Sequence, residues 1–195
     1  MISQEKFEFI KKKYGHYASW AVWADLGDKP KDNMGDLSIF DIHNNPDLLD
    51  QLQPNVILCG LNISRGVIEF PLANFHDKRP QAQDFKIRYA LKGSPYWGAY
   101  MTDIIKDFEQ KISWKVSSHL KTDKQFEKQN IKVFREEIND LGIDNPTIIA
   151  FGRDAYSILN RNFKKEFKII KIPHYSHFIS KENYRKEVKS ILGFK

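Results

Sequence analysis

Residues 55–60 read Asn-Val-Ile-Leu-Cys-Gly, an unbroken apolar run closed by glycine. A strand with no polar alternation offers no face to water, so it must be covered on both sides. That requirement selects a sheet held between helices. Three further stretches fit strands of the same sheet: 98–106 (GAYMTDIIK), 146–151 (PTIIAF) and 167–172 (FKIIKI). Helical segments fall between them. Phe126, Ile131, Phe134, Ile138 and Leu141 recur at helical spacing. A helix follows Gly152 to about Leu159. Ser180 is placed to cap a last helix ending at Leu192, with Asn183 where Glu or Gln is usual. This alternation predicts an α/β protein, a three-layer α/β/α sandwich around a central, mainly parallel four-stranded sheet.

The first 54 residues are less regular. A basic helix is expected over 3–13 and a short helix over 46–52. Residues 14–24 are aromatic-rich and fit either a helix or a strand, and 25–36 are rich in turn residues. With no repeat, low-complexity tract or Gly/Ser linker, the 195 residues read as a single domain (1–195). Residues 1–54 form an N-terminal extension on a 55–195 core.

The single cysteine, Cys59, excludes a disulfide framework, a multi-cysteine zinc site and a four-thiolate cluster. It fits a reducing, cytoplasmic setting. No apolar run reaches the ~20 residues that span a bilayer, so no membrane partner is expected. A monomer is the default expectation. The 31 basic and 25 acidic side chains leave a net charge of +6, which permits nucleic-acid binding without requiring it.

In open parallel sheets, ligands bind beyond the carboxyl ends of the strands. After the first strand comes Gly60-Leu61-Asn62-Ile63-Ser64-Arg65-Gly66, which is neither a phosphate-cradling loop nor a dinucleotide turn. A structural turn, with Asn62 as a turn residue, is the plain reading. After the last strand comes Pro173-His174-Tyr175-Ser176-His177-Phe178. Two His three apart lack a third metal ligand at recognisable spacing, so no metal or other cofactor is expected. A strand-end His is a candidate donor to developing negative charge, or a loop residue satisfied by backbone.

Taken together, GLNxS at 60–64 and HxSxF at 174–178 resemble the first and second motifs of the uracil-DNA glycosylase superfamily. The likeness is nearest to its single-strand-selective and mismatch-specific branches. AYMTDIIK at 99–106 is similar to the segment carrying the family's base-reading Asn, and 146–155 is similar to its strand-to-helix step. The likeness spans about residues 54–192. It implies hydrolysis of the N-glycosidic bond of a deaminated or damaged base flipped out of DNA, in base excision repair. The lone cysteine sets aside the superfamily's iron–sulfur branches.

Carried over by motif, the resemblance implies that Asn62 orients the attacking water and His174 donates to the base as negative charge builds. Backbone at Gly60, Leu61 and Ile63 would contact the base. Phe75, 13 residues after Asn62, would stack on it, with Phe70 as the competitor. Ser176 matches the serine that grips a phosphate, and Phe178 the wedge that fills the vacated stack. Ser64, Arg65 and Lys181 would border the DNA backbone. Other cationic-surface candidates include Lys11, Lys12, Lys13, Lys106, Lys164 and Lys165. Core packing is the competing reading for Phe70 and Phe75, and a staple preceding the last helix for Phe178.

The chain departs from the family pattern. Ile63 and Ser64 replace Pro and Gly in the first motif, and Tyr175 and His177 replace two prolines in the second. Asp103 stands where the base-reading Asn is expected. An ionised Asp only accepts hydrogen bonds, which suits a donor-rich base edge and opposes uracil O4. Three explanations remain open: a shifted alignment in which Thr102 faces the pocket, a different base, or lost excision. Two functional alternatives accompany the leading one. They are a glycosylase-fold nucleic-acid-binding protein without catalysis, and a nucleoside or nucleotide N-glycosidic hydrolase.

Overall fold

The computed structural model describes residues 2–63, 68–106 and 108–194. Its sheet has five strands, not the four expected: β1 (Ser19–Trp20), β2 (Gln53–Asn62), β3 (Ala99–Ile105), β4 (Thr147–Phe151) and β5 (Lys168–Ile172), in the order β1-β3-β2-β4-β5. β2 to β5 run parallel, and β1 pairs antiparallel with β3 at the edge. The extra strand is only two residues long. It lies in the aromatic stretch that fitted either helix or strand, where two residues cannot display a period-2 pattern.

Among the described residues, seven α-helices flank the sheet: α1 (Gln4–Tyr14), α2 (Leu48–Gln51), α3 (Phe85–Leu91), α4 (Ser113–Thr122), α5 (Lys124–Leu141), α6 (Gly152–Phe163) and α7 (Lys181–Leu192). Their boundaries follow local chemistry. Ser3 Oγ accepts the Lys6 N–H, Asp123 Oδ1 the Phe126 N–H, and Ser180 Oγ the Asn183 N–H. Each satisfies a donor left without a partner in a first turn.

Strand alternation deals side chains to two cores. Ile57, Cys59, Tyr100, Ile104, Ile148 and Ala150 pack with α1, α5 and α6. Val56, Leu58, Ala99, Met101, Ile149 and Phe151 pack with α3 and α7. The result is a three-layer α/β/α arrangement. Among the described residues, no helix is long and apolar enough to cross a membrane.

The N-terminal 54 residues are integral to this body. Phe7, Ile10 and Trp20 are fully buried. The chain around Gly15–Trp23 also clamps the segment carrying Asn74 and Phe75. The Leu72 N–H donates to Gly15 O, Ser19 Oγ to Leu72 O, Asn74 Nδ2 to Tyr17 O, and Trp23 Nε1 to Phe75 O. Leu72 and Phe75 both hold positive φ, 65° and 64°. Side chains reach that region only where the surroundings impose it.

Lys106 corrects an expectation. It is no surface cation: it is 3% exposed and donates to Glu137 Oε2 at 2.8 Å and to Thr102 Oγ1. Tyr100 OH donates to the other Glu137 oxygen at 2.6 Å. Thr102 therefore faces this buried network on the α5 side, and Asp103 faces the opposite side.

Candidate active site

The four parallel strands end at one edge, where a cleft of about 650 Å3 opens. Gly60, Leu61 and Asn62 enter it from β2, Asp103 from β3, and Phe151 from β4. His174, Tyr175, Ser176 and His177 enter from the loop after β5. The two motif loops and the Asp103 segment thus meet in one place, as their positions at strand ends require.

Asn62 is held by its amide nitrogen. Nδ2 donates to the carbonyls of Ile63, Phe108 and Gln110 at 3.0, 2.8 and 2.9 Å. Oδ1 makes no hydrogen bond to a described residue, so the acceptor end is fixed in direction and available. Ile63 itself is half-buried. Its carbonyl also accepts the Gln110 N–H, which ties the first motif to the loop before α4.

His174 is oriented by Ser176. The Ser176 N–H donates to Nδ1 at 3.1 Å, and Ser176 Oγ lies 2.7 Å from the same atom. Because a backbone N–H only donates, Nδ1 must be unprotonated, and the neutral ring carries its proton on Nε2. Burial lowers the imidazole to about 4, with His177 acting in the same direction and Asp154 opposing. At neutral pH the ring is an uncharged donor. Behind it, a Cβ on Gly152 would come within 3.2 Å of His174 Cβ, and Gly152 has a φ of 82°. Only glycine allows β4 to turn into α6 there. The loop is held from α3 as well, where Lys86 Nζ donates to His177 O at 2.9 Å.

Asp103 is 3% exposed. Asn74 Nδ2 donates to its Oδ2 at 2.9 Å. Asn74 spends its other amide hydrogen on Tyr17 O, while its Oδ1 accepts the Phe75 N–H, so its orientation has no alternative. Asp103 Oδ1 makes no hydrogen bond to a described residue. It lies over Gly60, where a Cβ would stand 2.2 Å from it. Burial raises the carboxyl to about 6, although the Asn74 hydrogen bond and the Lys106 charge pull it down.

That shift has a testable sign. The folded chain holds the Asp103 proton more tightly than the unfolded chain, so ionisation above about pH 6 opposes folding. The penalty is relieved as pH falls towards about 4. Asp103→Asn should therefore stabilise the protein at pH 8 by up to about 3 kcal/mol, with the gain shrinking towards pH 4. Urea unfolding of both proteins across that range measures it. An equal or opposite effect at pH 8 would show that the carboxyl is not strained by burial.

Other expected residues fall in different places. Phe75 is 3% exposed, its ring 6.1 Å from Phe151 and 6.4 Å from Tyr175 and its Cζ 3.5 Å from where a Cβ on Gly60 would stand. The aromatic walls are Phe151 and Tyr175, the latter stacked on His174 at 4.4 Å. Ser176 lines the cleft with its hydroxyl turned to His174. Phe178 is fully exposed beside it. Lys181 pairs with its neighbour Glu182 and lies over the Tyr89 ring. Phe70 is 61% exposed and away from this cleft. Ser64 and Arg65 lie outside the described residues. Among those described, no three His, Cys, Asp or Glu side chains group to hold a metal ion.

No family model, curated protein or solved structure matches the chain. What the cleft can do follows from its own side chains. It presents a fixed acceptor, a neutral imidazole donor and a buried carboxylate. Sequence reasoning missed Asn74, the Asp77–Asp84 wall, the Gln110–Ser113 wall and Arg153. These residues sit in irregular loops or helix ends. Their only signal is polar density, as in 76–84 (HDKRPQAQD).

Proposed function

We propose that this chain is a DNA glycosylase of the base-excision type, hydrolysing the N-glycosidic bond of a base turned out of DNA into the cleft. The observation that carries the reading is the Ser176 N–H donated to His174 Nδ1, which sets the tautomer of the ring. Ser176 occupies Nδ1, leaving Nε2–H as an uncharged donor in the same cleft as the anchored Asn62. Release of a base puts negative charge on a group that needs such a donor, and it needs a water held at the sugar carbon.

In this reaction the bond from C1′ to the base nitrogen breaks with its electron pair on the base. Water oxygen bonds to C1′, and one water proton ends on the base or in solvent. Asn62 Oδ1 accepts from the water and holds it. An amide does not take the proton, so the water reacts as the sugar gains positive charge. His174 Nε2–H faces the charge growing on the base. Phe151 and Tyr175 supply apolar walls. The exposed Phe178 is suited to enter the gap left in the base stack. DNA, single- or double-stranded, is the partner in this reading.

The test uses single- and double-stranded oligonucleotides, each holding one uracil, hypoxanthine, xanthine, 8-oxoguanine or alkylated base. Alkaline strand cleavage reads abasic sites. Abasic product from at least one substrate is expected. Its absence at stoichiometric protein would sink the proposal. Salt-sensitive DNA binding without product would then indicate a binding module. Base release from free nucleosides without DNA affinity would indicate a nucleoside hydrolase.

A further inference from the structure

We propose that Asp103 makes the cleft select a 2-amino-6-oxopurine, the guanine-type edge, over uracil; the proposal rests on the reading of this cleft as a base-excision site. A carboxylate offers acceptors only, about four lone-pair positions on two oxygens. Asn74 fills one of them, on Oδ2. Oδ1, over the bare Cα of Gly60, and the remaining position on Oδ2 are left for a ligand. The best complement is a base with two N–H donors side by side. The guanine edge has this arrangement, with N1–H next to the 2-amino group.

The other common edges fit less well. Uracil and thymine flank their single N–H with carbonyls, so one carboxylate oxygen would meet an oxygen, and hypoxanthine sets its N–H beside a bare C–H, so one carboxylate oxygen would find no donor. Cytosine and adenine place a ring acceptor beside their amine and would require Asp103 to hold a proton. Asn74 cannot rotate to offer a donor instead, because both its amide hydrogens and its oxygen are committed. The cleft, at about 650 Å3, lies in the range of ordinary small-ligand sites and has room for a two-ring base. With His174 as the donor for charge on the departing base, Asp103 is left to recognition. Guanine oxidised at C8 or alkylated at N7 keeps the same edge and belongs to the same class.

Guanine and hypoxanthine differ by the 2-amino group alone, which makes them the deciding pair of probes. Free guanine and free hypoxanthine are titrated into wild-type protein and Asp103→Asn at pH 7.5. Guanine should bind the wild type about tenfold to a hundredfold more tightly, and Asp103→Asn should lose that preference. In oligonucleotides, 8-oxoguanine and N7-methylguanine should be released by the wild type faster than uracil or cytosine. Asp103→Asn, which offers one donor and one acceptor, should turn the order towards uracil and hypoxanthine. Equal binding of guanine and hypoxanthine, or preferential release of uracil, cytosine or adenine by the wild type, overturns the proposal. Release of uracil alone leaves the glycosylase reading standing without this one. A guanine preference in binding with no release from any oligonucleotide removes the glycosylase reading and leaves Asp103 as a base reader.

Discussion

His174→Ala should lower the rate of base release by about 10²–10³-fold with little change in DNA affinity. That is the usual effect of removing one preorganised donor to developing charge. The loss should fall on the single-turnover rate at saturating enzyme, because the donor faces charge that is absent from the ground state. The pH profile separates this role from general acid catalysis. Burial holds His174 neutral down to about pH 4, so protonation of this ring should not affect the rate between pH 5 and 8. Asp103 titrates near 6, so any decline in the wild type as pH falls below 6 should come from lost carboxylate recognition. Asp103→Asn should remove that decline. If His174→Ala keeps its rate within about threefold, the ring is a structural part of the loop, held by Ser176 for shape alone.

The second large effect concerns stability. Lys106→Met should destabilise the fold by about 3–5 kcal/mol, the usual result of leaving one buried charge without its partner. For a chain of this length that lowers the melting temperature by roughly 6–20 °C. Glu137 would remain 1% exposed with only the Tyr100 hydroxyl beside it. Thr102 Oγ1 would also lose its donor. Converting the partner as well, in Lys106→Met with Glu137→Gln, removes the stranded charge and keeps an acceptor for Tyr100. More than half the loss should return. If the single variant melts within about 2 °C of the wild type, or the double variant is worse than the single, the ion pair is not what holds this face of β3. The pair bears on the cleft through strand geometry. Thr102 and Asp103 are neighbours on β3 and face opposite sides, so anchoring Thr102 and Lys106 on one side keeps Asp103 pointed to the other.

The central sheet was legible, despite the exposed Lys168 and Lys171 of β5, because β2 carries the apolar run 56–59 closed by Gly60 and β4 the run 148–151 followed by Gly152. Solvation chemistry alone requires such runs to be covered on both faces. The last helix was legible through Ser180, whose hydroxyl caps it as its sequence position foretold. The strand β1 was not legible, since its two residues owe their conformation to pairing with Met101 and Tyr100 rather than to local pattern. Neither was α4, whose sequence SWKVSSHLKT is poor in strong helix formers. It forms where Val116 and Leu120 find the core.

In the cleft, Asn62, Asp103 and His174 were readable because strand ends concentrate function. Asn74 was not, because its value lies in reaching Asp103 and Tyr17 at once, and no linear spacing encodes that. Phe75 was expected to face the ligand. It is instead 3% exposed, on a left-handed backbone with its carbonyl held by Trp23 Nε1–H and its ring tip beside Gly60. Lys106 looked like one of many surface lysines, and only the position of Glu137 on α5 shows why it is buried.

The clamp from Gly15–Trp23 onto Leu72–His76 has a kinetic consequence. Asn74 joins a carbonyl 57 residues before it to a carboxylate 29 residues after it, and His174 arrives later still. Closing loops of that span carries an entropic cost that comes before any contact rewards it. The recognition surface should therefore be among the last features to form during folding. A chain paused part-way, with β2 and β3 paired but its amino-terminal segment undocked, would hold a sheet without a working cleft. If the cleft excises bases as proposed, half-folded copies would leave DNA untouched.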